Sequence, residues 1–145
     1  MTIAVRNRTL AVIAATLGIF ALVVPMVAHH GTNISYDRSK MWTSKAVVTE
    51  FRYVNPHPQL FFAVTDEKGN VTNWGAELLP NPAQLIKNGW SKKRSMEALM
   101  PGTVITVTIA PSKAGGVVGL LIKAANDKGE ELVPGGGGGP APTTP

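Results

Sequence analysis

Histidine is the residue type in this sequence best suited to binding a metal ion, and its three copies lie in two short stretches. His29 and His30 follow a long apolar N-terminal stretch, and His57 lies between two prolines. If the chain is cleaved after Ala28, His29 becomes the first residue, and its α-amine and imidazole supply two nitrogens to one ion. His57 would add a third nitrogen in a T-shaped arrangement, a histidine brace, which suits Cu(II). The sequence therefore predicts a copper site formed by His29, His30 and His57.

The metal hypothesis has alternatives both for the N-terminal histidines and for His57. Cleavage after Val27 would give Ala28-His29-His30, with a histidine third from a free amine, which is a tetragonal nitrogen chelator for Cu(II) or Ni(II). If the N-terminal segment is retained, neither chelating terminus forms. Residues that follow a cleavage site are also often solvated and without a ligand. His57 would then hydrogen-bond a nearby carbonyl and organise the turn around its two prolines.

Trp74, Glu77 and Trp90 form a second set of candidates, for contact with a ligand or with a metal-binding side chain. Tryptophans on the face of a small β-barrel stack on sugars or bases. Glu77 ends the expected strand that contains Trp74 and is a candidate for contact with such a ligand or with a metal-binding side chain. The alternative is packing, because Trp74 lies inside an apolar strand and Trp90 follows the expected end of a helix.

Composition excludes several classes of function. The chain has no cysteine, which rules out disulfides, thiolate metal sites, cysteine nucleophiles and iron–sulfur clusters. It has neither a G-x-S-x-G nucleophile motif nor a phosphate-binding G-x-x-x-x-G-K motif, so we expect no ordinary hydrolase and no catalytic residues. Without Arg6 and Arg8 of the N-terminal segment, twelve basic and nine acidic residues remain, a net charge of +3. This mild excess does not indicate a nucleic-acid partner.

The N-terminus has the parts of an export signal. Two arginines precede residues 10–24, which carry no charge, and Pro25 and the small residue Ala28 follow. A basic region, an apolar region and a small residue before the cut are typical of a secretory signal, so we expect residues 1–28 to be a signal peptide and the mature protein to be periplasmic. The alternative is an uncleaved membrane anchor, because residues 10–28 approach the roughly 20 residues that span a bilayer.

The remaining chain divides into an extended arm at 29–43, a β-domain at 44–133 and a disordered Gly/Pro-rich tail at 134–145. Glu50 shares one face of the first expected strand with Arg52 and is placed to pair with Arg52 or Lys45. The other face of that strand, at 45–54, is expected to hold Val47, Thr49, Phe51 and Tyr53.

Further strands are expected at 60–65, 71–77, 103–110 and 117–124, with a short one at 131–133. Asn81-Pro82 offers an N-cap and a first-turn proline, and Gly89 a stop, so a short helix is expected between them. Another turn is expected at 95–100, and the basic run at 92–94 reads as a solvated loop. Three strands, a helix and two or three strands follow the oligonucleotide/oligosaccharide-binding (OB) plan. The sequence thus predicts an all-β fold, an OB-like barrel of five to six strands with one short helix between strands three and four, although strand order alone leaves a sandwich open.

Several stretches occur together in an order that resembles a known family: Ala28-His29-His30, Val48-Thr49-Glu50-Phe51, Asn55-Pro56-His57, Asn73-Trp74 with Glu77, Asn88-Gly89-Trp90, and Met100-Pro101-Gly102-Thr103-Val104. The set resembles a family of small secreted proteins of Gram-negative bacteria that is catalogued only as a domain of unknown function. The resemblance implies a signal peptide followed by a small β-domain, and it implies no activity, cofactor or catalytic residue. Met100 and the Gly/Pro tail depart from the usual pattern of that family.

Taken together, these features predict an exported periplasmic binding or accessory module that binds copper through its N-terminal histidines. The alternative is a structural or interaction subunit that docks onto an envelope or membrane assembly, with the tail as a tether. A copper oxygenase is a third hypothesis, which the small domain and the lack of an evident substrate platform disfavour.

Overall fold

The five strands of this chain close into a barrel. The computed structural model describes residues 35–135. Each strand is hydrogen-bonded to two neighbours in the order β1-β2-β3-β5-β4, with β1 joined to β4 as well as to β2. All pairs are antiparallel except β3 and β5, as the OB plan requires, so the prediction of an all-β OB-like barrel is confirmed. The strands are β1 Trp42–Arg52, β2 Gln59–Thr65, β3 Val71–Glu77, β4 Val104–Pro111 and β5 Val118–Ala125.

β1 differs from its prediction in its start and in the face that it buries. It begins at Trp42, which pairs with Ile109 of β4, so the arm expected at 29–43 ends earlier. The register of β1 against β2 shifts between Val48 and Glu50, and this bulge moves every later side chain to the opposite face. Val48 is therefore buried and Val47 is 41% exposed. The expectation that Val47 shares the buried face with Phe51 was wrong, because simple alternation does not include a bulge.

The described part of the N-terminal arm runs along the end of β4. Tyr36 bridges to Ser112, and the amide of Asp37 donates to the carbonyl of Pro111 at 2.8 Å. A short 3₁₀ turn at Arg38–Lys40 follows, and the Asp37 carboxylate caps it by accepting from the Ser39 amide. The arm is thereby fastened to the barrel before β1 begins.

Two helices, rather than one, lie between β3 and β4: α1 Pro82–Lys87 and α2 Lys92–Ala98. α1 begins as the sequence predicts, because the Asn81 side chain accepts from the Gln84 amide and the Gln84 side chain accepts from the Asn81 amide. It ends at Lys87, followed by Asn88 as its C-cap and by Gly89, whose φ of +78° favours glycine. The run at 92–94, expected as a loop, starts α2, because the Ser91 side chain accepts from the Arg94 amide.

The chain after β5 contributes one bridge, between Glu131 and Ala125, and not the sixth strand that was expected. Its Val133 is nevertheless fully buried. Burying a side chain such as Phe62 or Val133 stabilises a fold by about 1.5–3 kcal/mol, so the barrel interior is the main source of stability. The core consists of Ala46, Val48, Phe51, Leu60, Phe62, Ala76, Leu78, Leu99, Ile105, Val107, Ile109, Leu121, Ala124 and Val133.

No helix within residues 35–135 is both long and apolar enough to cross a membrane. The expected signal peptide or anchor at 1–28 and the tail beyond 135 lie outside the described residues.

Candidate functional site

The connection between β1 and β2, residues 53–58, places His57 at the mouth of the barrel; we call it the histidine connection. It cannot continue either ladder, because Pro56 and Pro58 lack an amide hydrogen. The carbonyl of the buried Pro58 nevertheless accepts from the Leu78 amide at 2.8 Å. His57 is thus carried by backbone that is bonded to the end of β3.

The imidazole of His57 is held by two backbone carbonyls. Its Nδ1 lies 3.0 Å from the carbonyl oxygen of Leu78 and 3.2 Å from that of Leu79. Because both partners only accept, Nδ1 carries a proton, and in the neutral imidazole Nε2 keeps a lone pair. A carbonyl bonded to one ring nitrogen is the usual way in which a metal-binding histidine is oriented. The same bonds are those expected of a histidine that only organises its turn, so the geometry is compatible with both roles.

The other two predicted copper ligands, His29 and His30, lie outside the described residues. Within residues 35–135, no three His, Asp or Glu side chains are close enough together to hold a metal ion. The predicted copper site would take its other donors from His29 and His30. The donor set that results, imidazoles and an amine, fits the ligand preferences of Cu(II).

Tyr36 of the arm lies beside Glu77, the last residue of β3. This is the end of β3 that leads into Leu78, the acceptor for His57. The Tyr36 phenol and the Glu77 carboxylate line one cavity and lie close enough to interact. Burial is the largest cause that raises the pKa of Tyr36, and the hydrogen bond to Glu77 and its negative charge add to it. The phenol therefore stays protonated well above its usual range and remains a donor. Glu77 precedes Leu78, the acceptor for His57, so the arm and the histidine connection meet at one end of the barrel.

A shallow cavity of about 170 Å³ lies on the outer face of β2 and β3 beside this junction. Phe61 and Gly75 are register partners there, and a Cβ added to Gly75 would lie 3.2 Å from Cε1 of Phe61. The glycine therefore lets the ring lie close against the strand. We call this the β2–β3 cavity, and its lining includes Tyr36, Gln59, Phe61, Gly75, Glu77 and Val118.

A comparison with protein families assigns the chain. The family of unknown function DUF6152 matches residues 17–123, which contain β1 to β4 and most of β5. The chain belongs to the DUF6152 family. The resemblance noted from the ordered sequence stretches is thereby confirmed. No curated protein and no solved structure matches the chain.

In this DUF6152 protein neither candidate tryptophan lines the cavity that Glu77 lines. Positions 74 and 77 point to opposite faces of β3. Trp74 packs against the core and meets Trp42 edge-on, with ring centroids 4.8 Å apart. Trp90 also packs against the core, and the guanidinium of Arg94 lies 4.1 Å from the centre of its ring. Of the three candidates for ligand contact, Glu77 alone lines the β2–β3 cavity.

Arg52 covers part of the aromatic surface next to the cavity. Its guanidinium lies 4.6 Å from the centre of the Phe61 ring and binds Glu50 through two bonds of 2.6 and 2.9 Å. The hydrogen bonds from Arg52 lower the pKa of Glu50. The expected pairing of Glu50 with Arg52 is confirmed.

Tyr36 and Gln59 are the residues of this junction that the sequence did not indicate. Tyr36 lies in a polar, aperiodic stretch, and its one signal was an aromatic side chain among small and charged residues. Gln59 follows a proline, and nothing in its neighbours distinguishes it from a loop residue. Both reach the junction through strand pairing across distant parts of the chain, which local sequence does not encode.

Proposed function

We propose that this DUF6152 protein is an exported binding module of the periplasm that binds Cu(II) through His57 and the histidines of its processed N-terminus, His29 and His30. The observation that carries the proposal is the orientation of His57. Its Nδ1 is engaged by the carbonyls of Leu78 and Leu79, and its Nε2 has no partner among residues 35–135. A ring oriented in this way loses little further freedom when Nε2 binds an ion.

The length of the arm constrains the proposed site. Five residues lie between His30 and Tyr36, so the chain makes six steps of at most about 3.3–3.6 Å each, or about 20 Å in all. The arm is fixed by the bridge between Tyr36 and Ser112 and by the bond from the Asp37 amide to the Pro111 carbonyl. Glu77 adjoins Leu78, the acceptor of His57, and the proposed site requires the N-terminal nitrogens to reach Nε2 within this length of chain.

The type of ligand supports copper over other metals. Neutral imidazoles and an α-amine offer nitrogen alone, and among the divalent first-row metals such donors bind Cu(II) most tightly. The absence of cysteine from the sequence leaves no thiolate for a tetrahedral zinc site. The proposed role is binding, and no catalytic step is assigned.

Export and copper binding are tested together on protein purified from the envelope fraction of a cell that expresses the whole chain. Intact mass under denaturing conditions is expected to show a chain that begins at His29 or at Ala28. Under native conditions, after addition of Cu(II), one copper adduct is expected. A mass that begins at Met1 would contradict export with cleavage and would remove the amine from the proposed site.

The part played by His57 is tested by a competition titration with a chelator of known Cu(II) affinity. His57→Ala is expected to weaken binding by at least about tenfold, since loss of even an outer partner has that effect. Asn55→Ala, in the same connection, is the matched control and should leave the affinity unchanged. Both variants are measured where circular dichroism shows them folded. Equal affinities would contradict the three-nitrogen site and leave a terminal chelator.

A further inference from the structure

The positive charge of the described domain is concentrated in the helices α1 and α2 and their four-residue connection, residues 82–98, which we call the helix pair. The helix pair contains four basic residues and one acidic residue, Glu97. The remainder of residues 35–135 contains eight basic and eight acidic residues. The barrel is therefore neutral as a whole, and the net charge of +3 lies on one element. The basic residues are Lys87, Lys92, Lys93 and Arg94.

The three lysines are available for an external partner. Lys87 and Lys92 are exposed, and neither forms an ion pair with another residue in the described part of the chain. The side chain of Lys93 is 85% exposed, and its 3.9 Å contact with the exposed Glu97 is weak. Lys87 and Lys92 are five residues apart, so their Cα atoms lie within about 18 Å of each other.

Arg94 is used within the domain. Its guanidinium stacks on Trp90 at 4.1 Å and donates to the Gly89 carbonyl at 2.9 Å. Arginine forms bidentate hydrogen bonds with an acidic group in a fixed geometry, whereas lysine acts as a mobile point charge. The charges that remain available are therefore suited to a surface whose anionic groups can rearrange around them.

An exposed apolar side chain accompanies these charges. Ile86, next to Lys87, is 59% exposed, and Met96 in α2 is 40% exposed. Basic residues beside large apolar ones are typical of segments that lie in the interface of an anionic bilayer, with the apolar groups among the headgroups. The exposed Ile86 lies directly beside Lys87 in the sequence, so an apolar group and a positive charge are offered together, as an anionic headgroup region accepts them.

From these observations we infer that the helix pair docks the domain onto a membrane surface rich in anionic phospholipid, through Lys87, Lys92 and Lys93 and with Ile86 inserted. The inference does not depend on copper binding. It also does not depend on the fate of residues 1–28, because the contact lies in the folded domain. Docking of this kind would hold the barrel at the membrane with the helix pair towards the lipid.

The test is flotation with vesicles of phosphatidylcholine alone or of an equal mixture with phosphatidylglycerol, on protein as the expressing cell delivers it. The quantity measured is the ratio of the partition coefficients of the protein for the two vesicles. If residues 1–28 are retained, their apolar stretch contributes equally to both coefficients in every variant and cancels in this ratio. The unchanged protein is expected to prefer the anionic vesicles, and the preference should fall as salt is raised. Neutralising the lysines of the helix pair, by K87Q, K92Q and K93Q together, should reduce it by about fivefold per lysine, on the order of a hundredfold in all.

A matched triple variant separates the position of the charges from their number. Lys45→Gln, Lys68→Gln and Lys128→Gln together remove the same charge from exposed positions on the barrel and its loops, and should change the ratio by less than about threefold. Equal losses in the two triple variants would overturn the inference, as would the absence of any preference for anionic vesicles. Binding to soluble polyglutamate but not to vesicles would also overturn it and would indicate an acidic polypeptide as the partner.

A second pair of variants tests the apolar contact and does not disturb charge. Ile86→Ser is expected to weaken binding to anionic vesicles severalfold. Val71→Ser on β3 replaces a side chain of similar exposure, 61%, and should have no effect. An identical response of the two variants would show that Ile86 is not inserted and would overturn this part of the proposal.

Discussion

The histidine connection and the helix pair both contain prolines and both join strands of the barrel. They differ in where their hydrogen bonds go. In the histidine connection, side chain and backbone bond inward: His57 to two carbonyls of the chain after β3, and Pro58 to the Leu78 amide. The helix pair satisfies its own ends, with Asn81 and Ser91 as caps, and leaves its lysines exposed. The histidine connection thus fixes the position of the His57 ring, whereas the helix pair presents exposed lysines on short, locally capped helices.

This difference matters for the two proposals. A metal site needs each donor held in one place, since small displacements of a ligand lower affinity. Attraction to a lipid surface needs only that charges be near one another and free of partners. The two regions therefore suit the functions proposed for them.

The largest effect is expected from a cavity beneath the histidine connection. Leu78→Ala removes a fully buried core side chain next to the carbonyl that holds His57. It should lower the free energy of unfolding by about 2–5 kcal/mol, measured by urea denaturation. Ile86→Ala in the helix pair is the control, and its exposed side chain should change stability by no more than about 0.5 kcal/mol. Similar losses in both variants would show that the helix pair is as firmly built into the core as the histidine connection.

A smaller effect is expected where the two regions touch. The Tyr53 hydroxyl, at the start of the histidine connection, donates towards the carbonyls of Pro82 at 3.1 Å and Trp90 at 3.3 Å in the helix pair. Tyr53→Phe keeps the ring and removes this link, so unfolding should become easier by about 0.5–1.5 kcal/mol. Amide exchange in α1 should also become faster, while exchange in β2 should not. Uniform exchange changes across the barrel would mean that Tyr53 does not specifically link the two regions.

The smallest effect concerns the arm and is expected only at high pH. Because burial and Glu77 raise the pKa of Tyr36, the folded chain keeps the phenol proton above pH 10, where the unfolded chain, with an ordinary pKa of about 10, loses it. The stabilisation is therefore fully present below pH 10 and declines as the pH rises beyond that value. Solvent screening of the partly exposed side chain should keep the difference between pH 9 and 11 below about 1 kcal/mol.

Tyr36→Phe is the variant that isolates this contribution. Its stability, measured by urea denaturation from pH 8 to pH 11, should decline less steeply than that of the unchanged protein. Parallel curves would show that the Tyr36 phenol loses its proton normally and does not fasten the arm to Glu77.

Much of the fold followed from local patterns in the sequence. Alternating apolar residues indicated the strands, and Asn81-Pro82 with Gly89 indicated α1, because strand alternation and helix capping are determined by residues within one or two turns of each other. Isolated turn residues were less informative. Ser91 alone does not distinguish a helix cap from a loop residue, so α2 does not follow from the sequence, and the bulge after Val48 places Val47 and Phe51 on opposite faces of β1.

The sequence by itself determined the types of residue available for chemistry: three histidines as nitrogen donors, no thiolate, and a basic run at 92–94.

Tertiary structure alone decided which of these residues have partners. Pairing of β2 with β3 brings His57 to Leu78, and the bridge between Tyr36 and Ser112 brings the arm to Glu77. Folding also stacks Arg94 on Trp90 and leaves the neighbouring lysines free of ion pairs other than the weak one to Glu97. Hydrogen bonds and ion pairs depend on distance in space, and in a closed barrel the nearest groups are often far apart in the chain.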